Sequence, residues 1–281
     1  MLAPKLQRFT DPDLLFSCPL CQQKLRLVER SLKCPQGHSY DLAKFGYVNL
    51  APQAKASHDF DKSSFEQRRL ILENGFYQHI LEKLLEILAD RPDLANILDV
   101  GCGEGYYARQ IEEKTGKNIY AFDLSKDSIQ LAAREDKAQA VKWFVADLAH
   151  LPIESQSIDY LLDIFSPANY QEFERLLSAK GLLIKVIPNA DHLQEIRQLA
   201  QDQLQQKEYS NHEVLQHFKE HFELAELHHV HQTFDLNKDE RDALLAMTPL
   251  LFHVQKDKID WSQLRKITIS ATVLVGKKKT V

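Results

Sequence analysis

The stretch Ile97-Leu98-Asp99-Val100-Gly101-Cys102-Gly103-Glu104-Gly105 decides the fold. Its apolar first half is typical of a short buried strand, and the residues after it have helical spacing up to about Lys114. Glycines in the connecting turn let the backbone approach a ligand closely, where a Cβ atom would collide with it. The spacing differs from the G-x-G-x-x-G pattern of dinucleotide-binding folds, because the third glycine comes one residue early. The sequence therefore predicts a strand, a ligand-binding turn and a helix.

Strands and helices alternate through most of the remaining chain. Residues 65–89 have the apolar spacing of two helices divided at Gly75, and Asn237 is placed to cap a later helix. The other predicted strands are 118–122, 140–145, 158–165, 182–187 and 266–275, with a turn at 179–181 before the fourth of these. This rhythm predicts an α/β fold, in which helices cover both faces of a mostly parallel, Rossmann-like sheet.

Three aspartates lie at the ends of predicted strands. Asp99 precedes the first glycine, Asp123 ends the second strand, and Asp147 with Leu148 follows the third. An acid at the end of the second strand is the usual partner of ribose hydroxyls in doubly wound folds. Together with the G-x-G-x-G turn, these acids resemble the cofactor site of class I S-adenosylmethionine methyltransferases. The resemblance implies that Asp99 meets the cofactor's ammonium group and that Asp147 and Leu148 lie near its adenine. The alternative is a glycine-rich turn with incidental acids.

A second motif lies near the N-terminus, with the spacing Cys18-x2-Cys21-x12-Cys34-x3-His38. Two pairs of closely spaced ligands can point at one centre, and three thiolates with one imidazole complete a tetrahedron. Such a closed set predicts a structural zinc site. His58 is an alternative ligand with less suitable spacing. Redox-active or incidental cysteine pairs are the other interpretation, which leaves the third cysteine and the histidine without a role.

Composition divides the chain of 281 residues into unequal parts. We predict a loose arm at 1–15, a zinc-binding module at 16–50, a linker at 51–64 and a methyltransferase domain at 65–281. Residues 1–60 hold eight Lys and Arg residues against five acidic residues, although the whole chain has a net charge of −5. The sequence has no apolar run long enough for a membrane span and no secretion signal, so we expect a cytoplasmic protein without a membrane partner.

Two classes of methyl acceptor are disfavoured by the residues present. Methylation of pyrimidine C5 needs a cysteine nucleophile, whereas all four cysteines belong to the zinc motif or the glycine turn. Methyltransferases of exocyclic amines usually carry Asn/Asp-Pro-Pro-Tyr/Phe after the fourth strand. The corresponding residues here, Phe165-Ser166-Pro167-Ala168-Asn169, lack the second proline and the aromatic residue.

The motifs together resemble the RlmA family of 23S rRNA (guanine-N1)-methyltransferases. The matching segments are Cys18-Pro-Leu-Cys21, Cys34-Pro-x-Gly-His38, 41–50 and 98–107, and the resemblance covers nearly the whole chain. The family has two branches that modify neighbouring guanines in one hairpin. Residues 44–52 are more similar to the Gram-positive branch, which includes tylosin-resistance enzymes and so implies a role in macrolide resistance.

The resemblance also implies site residues. It maps the zinc ligands to the cysteines and histidine of the N-terminal motif, and the cofactor contacts to the following residues: Gly101, Gly103, Gly105, Tyr107, Ala108, Tyr77 and His192. Tyr77 has a plain alternative as a core aromatic residue, and His192 as a solvent-facing residue or helix start. Guanine N1 must lose a proton, and Asp163, which ends the fourth strand, is our candidate base by position alone.

The expected partner is a 23S rRNA hairpin. Candidates for phosphate contacts are the pair Arg68-Arg69 and the basic residues of the zinc module. The basic residues of the module are Lys24, Arg26, Arg30, Lys33 and Lys44. Tyr40, Phe45 and Tyr47 are candidates for base stacking. A homodimer would widen a cleft for RNA, and the sequence leaves the oligomeric state open. The alternatives are a small-molecule methyltransferase and a non-catalytic RNA-binding protein.

Overall fold

The computed structural model describes residues 4–10, 14–51, 53, 62–204 and 210–279. The helices in these ranges are α1 (Pro4–Gln7), α2 (Lys62–Glu73), α3 (Gln78–Ala89), α4 (Tyr106–Thr115), α5 (Lys126–Glu135), α6 (Tyr170–Leu176), α7 (Gln194–Ala200), α8 (His212–His221) and α9 (Lys238–Met247). The strands are β1 (Arg26–Val28), β2 (Ser31–Lys33), β3 (Ser39–Asp41), β4 (Tyr47–Asn49), β5 (Asn96–Val100), β6 (Asn118–Asp123), β7 (Lys142–Val145), β8 (Ile158–Ile164), β9 (Leu177–Pro188), β10 (Phe222–Asp235) and β11 (Lys266–Lys278). None of these helices combines the length and apolar character that crossing a bilayer requires.

One sheet organises the larger part of the molecule. Its eight strands follow the order β10-β11-β9-β8-β5-β6-β7-β4. The pairs from β9 to β4 are parallel, and β11 is antiparallel to both of its neighbours. The predicted α/β fold with a mostly parallel sheet is confirmed. The chain leaves β5 toward β6 and returns to its other side as β8, so a crevice for ligands is expected at the carboxyl ends of these strands.

Side chains of the central strands alternate between two apolar cores. On β6, Ile119 and Ala121 belong to one core, while Tyr120 and Phe122 belong to the other. The first core includes residues of α2–α5, α7 and α9, and the second includes residues of α1, α6, α8 and the zinc-binding segment. Helices therefore cover both faces, and the zinc-binding segment shares the second face with α6 and α8.

The prediction of a loose N-terminal arm is wrong for its described part. Leu6 and Phe9 are buried, and so is the Arg8 side chain. Arg8 Nη1 lies 2.9 Å from Asp136 Oδ2 and donates a hydrogen bond to the Val141 carbonyl. Asp136 also accepts from the indole of Trp143 at 2.9 Å. This segment packs on the part of the chain that forms the large sheet, because its apolar residues and its arginine both have partners there.

The zinc-binding segment is joined to the large sheet by its last strand. Strands β1, β2 and β3 form a separate antiparallel sheet, whereas β4 pairs in parallel with β7. The Phe16 ring also meets Tyr120 and Phe144 edge-on, with ring centroids 5.3 and 5.0 Å apart. The module predicted at 16–50 thus has its final strand in the eight-stranded sheet.

Two predicted connections differ from the structure. Helix α2 begins at Lys62, so the last residues of the predicted linker are helical, while residues 52 and 54–61, with the alternative zinc ligand His58, lie outside the described residues. The turn predicted at 179–181 lies within β9. Ile158 pairs with Leu177 and Tyr160 with Leu182, so the residues between them form a bulge instead of ending the strand.

Candidate active site and zinc centre

The three cysteines and the histidine of the N-terminal motif converge on one point. Their ligand atoms, the three Sγ atoms and one ring nitrogen of His38, all lie within 4.8 Å of one another. His38 Nδ1 is 3.4 Å from both Cys18 Sγ and Cys34 Sγ, and Cys21 Sγ is 3.6 Å from Cys34 Sγ. Tetrahedral zinc with Zn–S bonds of about 2.3 Å separates two sulfur ligands by roughly 3.8 Å. The four residues therefore fit a structural zinc ion.

Backbone turns hold these ligands in place. The amide of Gln22 donates to the Cys18 carbonyl at 2.8 Å, and the amide of Cys34 donates to the His38 carbonyl at 3.1 Å. Burial raises the pKa of Cys18, but hydrogen bonds from Tyr40 and from backbone amides outweigh it and lower that pKa to about 6. A thiolate is the form that binds zinc, so the site favours the ligand state that the metal needs.

The glycine turn lies at the carboxyl end of β5, at the crevice described above. Gly101, Gly103 and Gly105 all have positive φ angles, which residues with a Cβ rarely adopt. A Cβ on Gly101 would lie 2.9 Å from Ser166 Cβ. The amide of Gly103 donates to Asp123 Oδ2 at 3.0 Å, and the amide of Ser125 donates to Asp123 Oδ1 at 2.8 Å. These bonds fix the Asp123 carboxylate beside the turn.

A cavity of about 390 Å³ opens beside this turn, and we call it the cofactor cavity. Its lining includes five of the predicted cofactor residues: Gly101, Gly103, Asp123, Asp147 and Leu148. Asp147 is exposed, and its Oδ1 accepts a hydrogen bond from the Ala149 amide at 2.9 Å. The structure thus brings acids from the ends of β6 and β7 to one cavity, as their positions in the sequence predict.

Asp99 lies beneath this cavity instead of lining it. It is 2% exposed, and its Oδ2 atom has no hydrogen-bond partner among the described residues. Burial, and secondly the negative charge of Glu104, raise the pKa of Asp99 to about 8. A buried acid without a partner is costly, so a cationic ligand group nearby would relieve it. This carboxyl therefore fits the ammonium group of S-adenosylmethionine.

A smaller cavity of about 170 Å³ adjoins the cofactor cavity, with Arg68 and Phe165 lining both. Its lining also includes three predicted cofactor residues: Tyr77, Tyr107 and His192. The Tyr107 hydroxyl is buried without a hydrogen-bond partner among the described residues. The two adjoining cavities lie next to buried polar atoms without hydrogen-bond partners in the described part of the chain, Asp99 Oδ2 and the Tyr107 hydroxyl. They therefore fit a ligand that is long and polar at both ends, as S-adenosylmethionine is.

Phe165 joins the cavities through an aromatic cluster. Its ring stacks on His192, with centroids 5.6 Å apart, and meets Tyr77 edge-on at 6.0 Å. Burial, with a smaller effect from the positive charge of Arg197, lowers the pKa of His192 to about 4. The His192 ring is therefore neutral at physiological pH, and its Nδ1 accepts a hydrogen bond from the Ser270 amide at 3.2 Å.

Besides Asp99, two further predicted cofactor residues line none of these described cavities. Ala108 is fully buried in the first core. At Gly105, an added Cβ would lie 2.4 Å from the Trp143 ring, so the missing side chain makes room for core packing. Both residues belong to the start of α4, and the structure gives them a role in packing the helix against the sheet.

A third cavity, of about 700 Å³, also borders the segment 165–167. We call it the acceptor cavity, because Phe165, Ser166 and Pro167 line both it and the cofactor cavity. Its remaining lining includes Lys185, Pro188 and residues of α8. Donor and acceptor of a transferred group would thus meet across one short segment.

Asp163, the predicted base, lies below the acceptor cavity and is completely buried. Its Oδ2 is 2.5 Å from Lys185 Nζ, and its Oδ1 is 2.7 Å from Ser166 Oγ. A general base needs to reach the proton that it removes, directly or through one water. Asp163 contacts Ser166 and Lys185, and both of these residues line the cavity. Asp163 could therefore act as a base only through one of these two residues.

Sequence reasoning assigned Arg68 to RNA and gave no role to Glu104 or Phe165. Arg68 Nε lies 3.1 Å from Glu104 Oε2, so the arginine ties α2 to the glycine turn at the cofactor cavity. Phe165 has φ +54°, a strained angle for a bulky residue that often marks a functional site. Its place directly after β8 was visible in the sequence, whereas the pairing of Arg68 with Glu104 depends on tertiary structure.

The other expected RNA contacts differ in their surroundings. Arg26, Arg30 and Lys44 are exposed. Other basic candidates are paired, since Lys24 Nζ is 3.6 Å from Glu154 Oε1 and Arg69 Nη1 is 3.0 Å from Glu135 Oε2. Tyr40 and Tyr47 are buried, so stacking of bases on these rings is excluded in this structure.

Comparison with known proteins places both parts of the chain. The family model described as RlmA, N-terminal, a zinc ribbon, matches residues 16–58, and a methyltransferase domain model matches residues 97–181. A Bacillus subtilis protein provisionally named a 23S rRNA (guanine-N1)-methyltransferase is 34% identical, over 94% of this chain and 97% of that protein. The 23S rRNA (guanine(748)-N1)-methyltransferase of Streptomyces fradiae is 29% identical, over 92% of this chain and 95% of that protein.

Solved structures share the fold of the larger part. A chain of the Haloferax volcanii complex between the Trm112 methyltransferase activator and a methyltransferase superimposes with a TM-score of 0.52. The identity is 15%, and the superposition covers 81% of this chain and 100% of the other. At this identity, the likeness supports the methyltransferase fold and nothing finer.

Proposed function

Because the chain belongs to the RlmA family of methyltransferases, we propose that it methylates N1 of a guanine in a hairpin of 23S rRNA. The observation that carries the proposal is the pair of cavities that share the segment 165–167, in a chain that also carries the family's zinc ribbon. The cofactor cavity suits S-adenosylmethionine, and the acceptor cavity is open enough for a nucleobase that has left its stack.

S-adenosylmethionine supplies the methyl group, whose bond to sulfur breaks as guanine N1 bonds to the methyl carbon. The chain's contribution is to hold donor and acceptor in line and to exclude competing orientations. Asp123 would accept hydrogen bonds from the ribose hydroxyls, and Asp147 with Leu148 would border the adenine. Asp99 would balance the ammonium charge, and Tyr77, Tyr107 and His192 would surround the same end of the ligand.

The zinc ribbon contributes to RNA binding. Its exposed basic residues Arg26, Arg30 and Lys44 are suited to phosphate contacts, while zinc keeps the ribbon folded. The target guanine corresponds to that of the Streptomyces fradiae relative, whose name specifies guanine 748. Methylation at that place would reduce macrolide binding and confer resistance. The protein acts in the cytoplasm, where rRNA is made, and a homodimer would present two ribbons to one hairpin.

Primer extension on large-subunit RNA tests the reaction. N1-methylguanine blocks base pairing, so we expect a reverse-transcription stop in RNA from cells that contain this protein and none in RNA from a deletion strain. Gly101→Arg should abolish the stop, because a Cβ at Gly101 already lies 2.9 Å from Ser166 Cβ. The exposed residue Arg134 provides the control Arg134→Ala, which should restore the stop fully.

The position of the stop identifies the guanine. A stop at a guanine other than the equivalent of 748 would contradict the branch assignment and leave the reaction class intact. Absence of any stop that depends on the protein would overturn guanine-N1 methylation and favour a small-molecule acceptor.

A further inference from the structure

A buried cation lies at the floor of the acceptor cavity. Lys185 lines this cavity from β9 and is only 4% exposed. Resting on the proposed function, we propose that Lys185 Nζ donates a hydrogen bond to O6 of the target guanine and stabilises the negative charge that develops when N1 loses its proton. Lys185 would then be a catalytic residue, and Asp163 its positioning residue.

The hydrogen bonds of Lys185 leave a donor for such a contact. Its ammonium group carries three N–H donors. One points to Asp163 Oδ2 at 2.5 Å, and a second points to the Ser166 carbonyl at 3.3 Å. The third has no acceptor among the described residues, and the lysine borders open space in the acceptor cavity. A carbonyl oxygen of a ligand can accept this hydrogen bond.

The charge of Lys185 matches the difficult step of the reaction. Guanine N1 is a weak acid, and its anion shares the negative charge between N1 and O6. A fixed cation that is itself almost fully buried, as Lys185 is, stabilises such developing charge more strongly than a cation in bulk water. The other ionisable side chains of the cavity lining are Glu213 and His217, which are exposed on α8, and Tyr170, whose pKa is raised by burial and secondly by the negative charge of Asp163. Lys185 is therefore the buried cation of the described lining.

The step balances without a further reactant. The N1–H bond breaks, and its proton passes to water in the open cavity. The electron pair that remains on N1 forms the new bond to the methyl carbon. The carbon–sulfur bond of the donor breaks at the same time, and its electron pair stays on sulfur. Lys185 stays protonated throughout, and its hydrogen bond to O6 weakens once the methylated base is neutral.

Asp163 holds the Lys185 ammonium group in position. Burial raises the pKa of Asp163, and Lys185 and Ser166 oppose that rise by charge and by hydrogen bonds. The resulting pair orients Nζ toward the cavity. Loss of the carboxylate should therefore reduce the rate, whereas loss of the ammonium group should remove the contact with O6.

The test compares two variants that avoid an unpaired buried carboxylate. Lys185→Met alone would leave Asp163 without its cation and could unfold the protein, so we would combine Lys185→Met with Asp163→Asn and compare the pair with Asp163→Asn alone. Lys142→Met is the matched control, because Lys142 is 6% exposed and lies outside the described cavities. Thermal unfolding and S-adenosylmethionine affinity establish that each variant is folded.

The first readout is the single-turnover rate of N1 methylation of the rRNA hairpin as a function of pH. We expect Asp163→Asn to be at least tenfold faster than the double variant at pH 7, and Lys142→Met to match the unaltered protein. The rate of the double variant should level off at a pH at least one unit higher than the rate of the unaltered protein does, because no cation then stabilises the deprotonated guanine. Equal rates for Asp163→Asn and the double variant would overturn the proposal and make Asp163 the essential group.

The second readout needs no turnover. With S-adenosylhomocysteine bound, the unaltered protein should bind the guanine hairpin at least fivefold more tightly than a hairpin with 2-aminopurine at the target, which lacks O6. The double variant should bind both equally. A preference for guanine that survives in the double variant would contradict the O6 contact, while absence of methylation by the unaltered protein would instead count against the proposed function.

Discussion

Four charged residues of the active site are buried, namely Asp99, Glu104, Asp163 and Lys185, and three of them have a charged partner. Arg68 is paired with Glu104, and Lys185 with Asp163. Asp99 is the exception, since its Oδ2 atom has no partner among the described residues. The sequence located Asp99 and Asp163 because each ends a predicted strand. It could not predict their partners, because these lie on other elements and are brought near only by the sheet order.

Cofactor binding should release a proton from Asp99. With a pKa raised to about 8, mainly by burial, the side chain is protonated at pH 7 in the free protein. The ammonium group of S-adenosylmethionine favours the carboxylate, so the affinity should rise with pH and level off above about pH 8. Titration calorimetry at pH 7 in two buffers of different ionisation enthalpy should detect nearly one proton released.

Asp99→Asn is the control for this measurement. The binding enthalpy of this variant should be the same in both buffers, because residue 99 no longer titrates. If the unaltered protein releases no proton, then Asp99 does not meet the ammonium group.

At the scale of elements, periodicity predicted most of the core strands and helices. Strand β5 lies directly before the glycine turn, where the apolar residues predicted a strand. Asn237 caps α9 as its position indicated, because its side chain accepts a hydrogen bond from the Glu240 amide and its own amide donates one to the Glu240 carboxylate. The bulge within β9 was missed, because Gly181 gives the same signal in a bulge as in a turn. Helix α4 is bounded by left-handed glycines at both ends, Gly105 and Gly116.

These two glycines form a matched pair for mutation. Gly116→Ala should cost roughly 1–2 kcal/mol, since the φ angle of +61° is unfavourable for alanine and nothing lies within 4 Å of the new Cβ. Gly105→Ala has the same backbone cost and in addition forces a Cβ to 2.4 Å from Trp143, so we expect a total of about 3–5 kcal/mol. Urea unfolding measures both, and equal losses would contradict the packing role of Gly105.

At the scale of the whole molecule, the N-terminal segment, the zinc ribbon and the methyltransferase sheet share their packing. Composition suggested an arm, a module and a linker, because charge and proline content change along the first 64 residues. Composition carries no information about long-range contacts, so it could not show that Arg8 meets Asp136 or that β4 pairs with β7. The predicted boundaries of the arm, the module and the linker therefore follow changes in charge and proline content, and they do not follow the packing of the folded chain.

The Arg8 pair should be a large contribution to stability. Arg8→Met leaves Asp136 buried without its cation, and breaking a buried pair in this way typically costs about 3–5 kcal/mol. The exposed Arg26 offers the control Arg26→Met, with an expected change within about 0.5 kcal/mol. Urea unfolding should separate the two variants clearly, and a small effect of Arg8→Met would restore the description of the segment as a loose arm.

Zinc removal should affect RNA binding more than cofactor binding. Stripping the metal with a chelator leaves three cysteines without the ion that holds the ribbon, so the affinity for the rRNA hairpin should fall at least tenfold. The cofactor cavity is lined by residues outside the ribbon, so the affinity for S-adenosylmethionine should change less than threefold. Filter binding and calorimetry measure the two affinities. An unchanged RNA affinity would contradict the role of the ribbon.

The pairing of β4 with β7 has a consequence for synthesis. The ribbon leaves the ribosome early and can capture zinc at once, but Tyr47 pairs with Trp143, which is made much later. The nascent ribbon therefore carries an unpaired strand edge until β7 is translated. Long-range pairing of this kind slows folding and exposes the chain to association with its neighbours. The enzyme is thus expected to depend most on chaperones during translation of the segment between these two strands.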